Sequence, residues 1–302
     1  MRSCALDTCI KDVSSDDLLV SLASLEILAE VAESSTAAAS GLKSIAALTG
    51  SLIRVASNRL ADIALRTRAL IVGGRIAATS TSDSDAFVLD MMRLFEALFD
   101  EGERDVRSAI IDASGAMCVS QRAIADFYAS TSPKLVHTMA FNAFRGTGES
   151  QIVALHALAN VCGAERDADS EMLSEQAEAV IADACFSACG SKSIGEYIHG
   201  MIALKSDHFL PARCGAYRLL STLGKRRAAA EEIAAHAPTR RALCDEYERV
   251  SIAATHRIAA IKALHAANVS DVAARDHLAR ALAAPRASAR PPAVPDVRVS
   301  HR

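Results

Sequence analysis

Tryptophan is absent from this 302-residue chain, and all aromatic residues together make up 4% of it. Any core must therefore come from many small aliphatic contacts, which the 51% hydrophobic content supplies. No run of eighteen uncharged apolar residues occurs, so no membrane-spanning helix is expected. The opening stretch, MRSCALDTCIKDVSSDD, lacks the apolar centre of a secretory signal. Net charge is −3, and no broad basic field is available to draw nucleic acid. Eight cysteines are scattered without a regular framework. They read as reduced thiols, which points to the cytoplasm, or to the nucleus as well.

Strand signals are missing too, while alanine, leucine, arginine and glutamate are strong helix formers. The chain therefore reads as all-α. Six helical segments recur along it: Leu18–Ala32, Ile63–Ser80, Asp105–Cys118, Glu149–Cys162, Pro211–Gly224 and Ala253–Ala267. Taken from the apolar residue near each end (Val31, Ile76, Met117, Val161, Leu223 and Leu264), the steps are about 45, 41, 44, 62 and 41 residues. A period in the low forties without strands predicts armadillo/HEAT-type repeats stacked as a right-handed α-solenoid, because no unit buries its own apolar face alone. The repeat domain is expected over residues 14–284. Residues 1–13 read as a poorly ordered leader or truncated helix, and 285–302, PRASARPPAVPDVRVSHR, as a disordered Pro/Arg-rich tail. Ser14 to Asp17 supply the cap of the first long helix. Pro211 sits in the first turn of another, where proline is tolerated.

Candidate chemistry is sparse. Cys185 and Cys189 share a helix face at i, i+4, but a structural zinc site needs four ligands and no CxxC or HxxxH completes one. His199 and His208 have no recognised metal spacing. The GTGES segment at 146–150 lacks the Gly-Lys-Ser/Thr ending and preceding strand of a phosphate loop, so it reads as a helix cap. Nine histidines include no HExxH, and no nucleophile motif or clustered acid/base pair marks a catalytic site. Lys225, Arg226 and Arg227 follow a helix end, where cations meet the dipole favourably. No metal, cofactor or catalytic residue is expected.

Position along the repeat is more informative. The residue before each anchor and the residue one turn earlier share a helix face. They form a ladder of mixed charge, acidic first and basic or polar later. Its polar members, Glu26, Glu30, Arg75, Asp112, His156, Asn160, Arg218 and Thr222, are the candidate partner-binding residues. A reader of extended peptides would carry repeated Asn/Trp pairs there, and only Asn160 is present.

Several strings resemble the proteasome non-ATPase regulatory subunit 5 family. The best stretch is Asp183–Leu264, where CFSACGSKSIGEYIHGMIALKSDHFLPARCGAYRLLSTLG is similar to a family segment of helix, turn, proline and helix, ending here in Cys214, Gly215, Ala216, Tyr217 and Arg218. DDLLVSLASLEILAEVAESSTAAASGLKSIAALTG resembles a central family repeat. The resemblance spans most of residues 16–270. It implies an armadillo/HEAT assembly chaperone, monomeric when free, that binds ATPase subunits of the 26S proteasome regulatory-particle base. It also implies that the family's N-terminal repeats are lacking here, and that the 62-residue step holds extra helices. The alternative function is a general armadillo scaffold in trafficking or signalling.

Overall fold

The computed structural model describes residues 4–79, 85–100, 103–119, 121–167, 172–244, 248 and 251–283. Among them are seventeen α-helices, one short 3-10 turn and no strand. The N-terminal helices are α1 (Cys4–Asp12), α2 (Leu18–Ser34), α3 (Thr36–Lys43), α4 (Ala46–Ser57) and α5 (Ile63–Ala77). The middle holds α6 (Ala86–Phe99), α7 (Arg104–Met117), α8 (Arg122–Thr131), α9 (Pro133–Arg145) and α10 (Gly148–Val161). Then come α11 (Glu175–Cys189), α12 (Ile194–Ile202), α13 (Leu210–Leu223), α14 (Arg227–Ala235), α15 (Ala237–Cys244), α16 (Ser251–Ala266) and α17 (Val272–Ala283).

Local chemistry starts many of these helices. The side chain of Asp17 accepts from the amides of Leu19 and Val20 at 2.9 and 3.3 Å, that of Asp62 from Ala64 at 2.8 Å, and that of Asp85 from Phe87 at 3.0 Å. Each satisfies amides that the first turn leaves without intrahelical partners. Thr147 caps α10 within the GTGES segment without a side-chain bond.

The six recurring segments are α2, α5, α7, α10, α13 and α16, and they pack against one another in that order. The inner four have a ladder neighbour on each side and bury about half or more of their residues, while α2 and α16 have one such neighbour each. Helix α5 buries Arg66, Ala69, Leu70, Val72, Gly73, Gly74, Ile76 and Ala77. The intervening helices cover the other side of the row and are one-sided. In α6 a single stripe, Phe87, Val88, Met91, Met92, Phe95, Leu98 and Phe99, is buried, gathering three of the eight phenylalanines into one place.

The row approaches closely because small residues sit where helices cross. A methyl on Gly74 would lie 2.6 Å from the β-carbon of Ala113, and one on Gly115 2.6 Å from the α-carbon of Ala157. One on Gly215 would lie 2.9 Å from Leu155. The glycines of α5, α7 and α13 thus buy contact between rungs, offsetting a helix-propensity cost of up to about 1 kcal/mol each.

Two expectations are refined. Of the two readings of residues 1–13, residues 4–12 take the helical one, as α1: Ile10 and Val13 are buried against the core, and the buried hydroxyl of Ser21 donates to the carbonyls of Asp12 and Ser15 at 3.0 Å each. Among the described residues the long step between Val161 and Leu223 holds two intervening α-helices, α11 and α12, and one 3-10 turn, and the steps containing α3 and α4, α8 and α9, and α14 and α15 hold two α-helices each. The described part of its extra length lies in connections and not in further α-helices. The step from α5 to α7 is the shorter variant, with α6 alone between them among the described residues. Within DVAARDHLARALAA, α17 packs against α15 and α16 as the last described helix, while the tail at 285–302 lies outside the described residues.

Candidate functional site

The exposed strip of the six stacked helices is the candidate interface. At its N-terminal end, Glu26 on α2 pairs with Arg68 on α5, and Arg75 on α5 with Glu33 on α2. Glu30 is exposed between them. Arg68 and Arg75 are thus each matched by a carboxylate on the preceding rung, at sites open enough that either pair contributes about 1 kcal/mol or less.

Further along, His156 and Asn160 of α10 meet Arg218 of α13. One guanidinium nitrogen of Arg218 donates to His156 Nδ1 at 2.7 Å; the other donates to Asn160 Oδ1 and to Glu165, each at 2.8 Å. Because arginine can only donate, His156 Nδ1 is the acceptor and the ring is neutral. Burial holds the His156 pKa down to about 4, and the positive charges of Arg218 and His256 act in the same direction. His256, on α16, is lowered likewise by burial and by Arg218. Four of these groups come from successive rungs, and Glu165 arrives on the connection after α10.

Two predicted members are not available to a partner. Thr222 is fully buried; its hydroxyl donates to the carbonyl of Leu219 at 2.8 Å and interacts with Cys162 across the α10–α13 contact. Asn160 is 9% exposed, and its amide donates to the carbonyl of Gly115 on α7 at 3.2 Å. The residue before the anchor is exposed on α2 but faces the next rung on α10 and α13, where the connection through Glu165 and Arg166 folds over the helix ends. Both ends of its amide are engaged internally, and Asn160 is buried.

Asp112 lies elsewhere. It lines a groove of about 860 Å³ with Ile63, Thr67 and Ile71 of α5, Arg104, Asp105 and Ser108 of α7, Arg145 at the end of α9, and Glu149, Ser150 and Val153 of α10. Burial raises the Asp112 carboxyl above its ordinary range, outweighing the pull of Arg75 and Arg68. Arg145 is fixed by the carbonyls of Ala188 and Cys189 at 2.5 and 3.1 Å.

Reading the sequence one more turn along the same faces would have reached Glu33 and Arg68, which lie i+3 and i−7 from Glu30 and Arg75. His256 sits one turn before the last rung's exposed positions. Glu165 carries no such signal, since loop residues have no period. Cys185 and Cys189 are buried in α11 with their thiols pushed up by burial, the latter to about 12. Among the described residues no group of three or more histidine, cysteine, aspartate or glutamate side chains is placed to hold a metal ion.

No protein-family model matches the sequence, and no curated protein matches it. Solved structures do. An engineered protein aligns over 88% of this chain and 98% of its own, at 16% identity and a TM-score of 0.60. The designed armadillo repeat protein YIII(Dq)4CqI aligns over 86% of this chain and 99% of its own, at 13% identity and 0.56. A related design solved in complex with the peptide (KR)4 aligns over 86% and 99%, at 12% identity and 0.57. At these identities the likeness speaks to architecture, and with the stacked six-helix row it establishes the fold: an all-α, right-handed armadillo/HEAT-type α-solenoid.

Proposed function

We propose that this protein is a non-enzymatic scaffold that holds a segment of another protein against the exposed strip of α2, α5, α7, α10, α13 and α16. The observation that carries this reading is the continuity of that strip. Six helices contribute in unbroken order, so polar side chains 41 to 62 residues apart in sequence form one surface, as Arg218 and His156 do. A solenoid of this kind offers a long surface without a deep pocket, suited to a standard interface of about 1,600 Å². The general scaffold is the broader reading. Capture of proteasomal ATPase subunits of the regulatory-particle base, in the cytoplasm or nucleus, is the narrower one and rests on the packing strings alone.

Affinity purification of the tagged full chain from its own cells, followed by mass spectrometry, tests both. Base ATPases recovered without mature core particle support the narrower reading. A different, reproducible protein partner supports the general scaffold and removes the narrower one. A chain that recovers no specific protein, but whose melting temperature rises with one metabolite of a small-molecule panel, overturns the scaffold reading.

A further inference from the structure

The first and last ladder helices each carry part of an unfinished step. Among the described residues, a full step sets two intervening helices between ladder helices, and the second of them packs on the ladder helix that follows, as α4 does on α5 and α9 on α10. Helix α1 packs on α2 in that second place. Helix α17 packs on α16 in the first place, as α3 does on α2. Set end to end, α17 of one copy and α1 of the next supply the pair that a full step contains.

The flank of α2 that such a step would cover is open and apolar. The residue four before each anchor faces the preceding ladder helix, as Ala113 does against Gly74 and Ala157 against Gly115. That position is 0% exposed at Val72, Leu219 and Ala260 and 1% at Ala113 and Ala157, but 47% at Ile27. Leu19, at 76%, and exposed Ala23 continue the same face at i, i+4 spacing. A terminal unit finished for solvent carries polar residues there. The residue two before each anchor faces the other way: Gly74 and Gly115 are buried under the next rung, and the corresponding Lys262 of α16 is exposed. Charge decides which face meets α2. Helix α2 carries Glu26, Glu30 and Glu33 and no lysine or arginine, whereas α16 carries Arg257 and Lys262 and no acid. Glu30 holds the repeat position of Arg75, whose side chain reaches back to the preceding rung. Two α2 faces brought together would oppose their own glutamates, while α16 offers a cation.

We propose that this chain stacks head to tail with a second copy of itself, the Leu19–Ile27 face of α2 packing on α16 of the copy before it and Glu30 pairing with Lys262. Such a contact joins two different surfaces, so it extends into a ring or an open row rather than stopping at a dimer. It carries the exposed strip from one copy to the next and does not depend on what that strip holds.

Sedimentation velocity of the full chain, over a hundredfold range of concentration, should show a mass that climbs past the dimer. The altered positions are exposed, so the variants should keep the parent's circular dichroism. Leu19→Gln combined with Ile27→Gln removes the apolar face and should sediment as a monomer. Lys262→Glu sets a carboxylate against Glu30 and should weaken assembly about tenfold or more. Adding Glu30→Lys to Lys262→Glu should restore it. A mixture of the glutamine variant with Lys262→Glu should stop at a one-to-one dimer, each lending its intact face. A parent that stays monomeric throughout, as the family resemblance implies, overturns the proposal. A dimer that Lys262→Glu leaves intact means two α2 faces meeting, and overturns it as well, as does failure of Glu30→Lys to rescue. The scaffold reading fails separately, by the purification outcome given above.

Discussion

Buried arginines reaching helix C-termini are the recurring device at the scale of single residues. Arg166 donates to the carbonyl of Cys118 after α7 and to those of Asn160 and Val161 at the end of α10, at 2.9, 3.1 and 2.8 Å. Arg226 repeats the motif one rung on, reaching Cys162 and Thr222 while held by Glu178. Arg213 binds the carbonyls after α12 and pairs with buried Glu248 at 3.0 Å. Each guanidinium donates to carbonyls at a helix end, adding at Asn160 and Thr222 to the turn bonds they accept from Gly163 and Lys225, and its charge suits the negative end of the dipole. Replacing Arg166 by methionine keeps the stem but removes its bonds to three carbonyls, of which that of Asn160 keeps the amide of Gly163 as donor, so a loss of about 2–4 kcal/mol is expected from urea denaturation midpoints. Histidine titration supplies a second prediction. The folded chain holds His156 near 4, with His236 and His256 also lowered, whereas unfolded histidine titrates near 6.5. Above pH 6.5 both states are neutral and these groups contribute nothing. As pH falls from 6.5 towards 4 the unfolded state takes up protons that the folded state refuses, and stability drops. Urea denaturation at pH 7.5, 6.5 and 5.5 should show that decline. His156→Asn, whose side-chain oxygen can still accept from Arg218, should make it shallower. Raised Asp112 works in the opposite direction, but only at the acidic end where carboxyls titrate.

Among helices, glycine separates two kinds of position that look alike in sequence. Gly115 lies in α7 against Ala157 of α10, whereas Gly50 lies on the exposed side of α4 with nothing within 4 Å of an added methyl. Alanine gains helix propensity at both. At Gly115 the overlap with the neighbouring backbone dominates, and Gly115→Ala should lose about 1–2 kcal/mol net. Gly50→Ala should gain about 0.5–1 kcal/mol. Thermal melts of the two variants should move in opposite directions. The long ladder helices were legible because anchors such as Ile76 and Met117 repeat at one interval and end in small residues. Their limits differ from the expected ones by a residue or two, except α5, which ends at Ala77 rather than Ser80. Helix α1 was not legible, since its nine residues show a single buried side, Ile10 with Val13 after it, too little for a period to register. The arginine contacts were equally hidden, because a carbonyl acceptor has no residue type to recognise.

For the molecule as a whole, register made part of the interface legible and topology concealed the rest. The interval of the repeat was enough to place His156 beside Arg218, 62 positions apart, and Glu26 on the same face as Arg75. It could not reveal that Thr222 turns into the α10–α13 contact, because the rotation of each helix about its own axis is set by what packs on both sides. Nor could it bring Glu165 back over the ladder. Among the described residues every substantial packing contact joins helices of the same or adjoining units, and none joins the first unit to the last. Pulled by its two ends, such a molecule carries the whole load through each rung in turn, like links of a chain rather than strands of a rope. Single-molecule extension should therefore give a sawtooth, each tooth releasing the contour of one unit, about 150 Å for some 45 residues at full stretch. The first tooth should come from whichever junction lacks an arginine clasp.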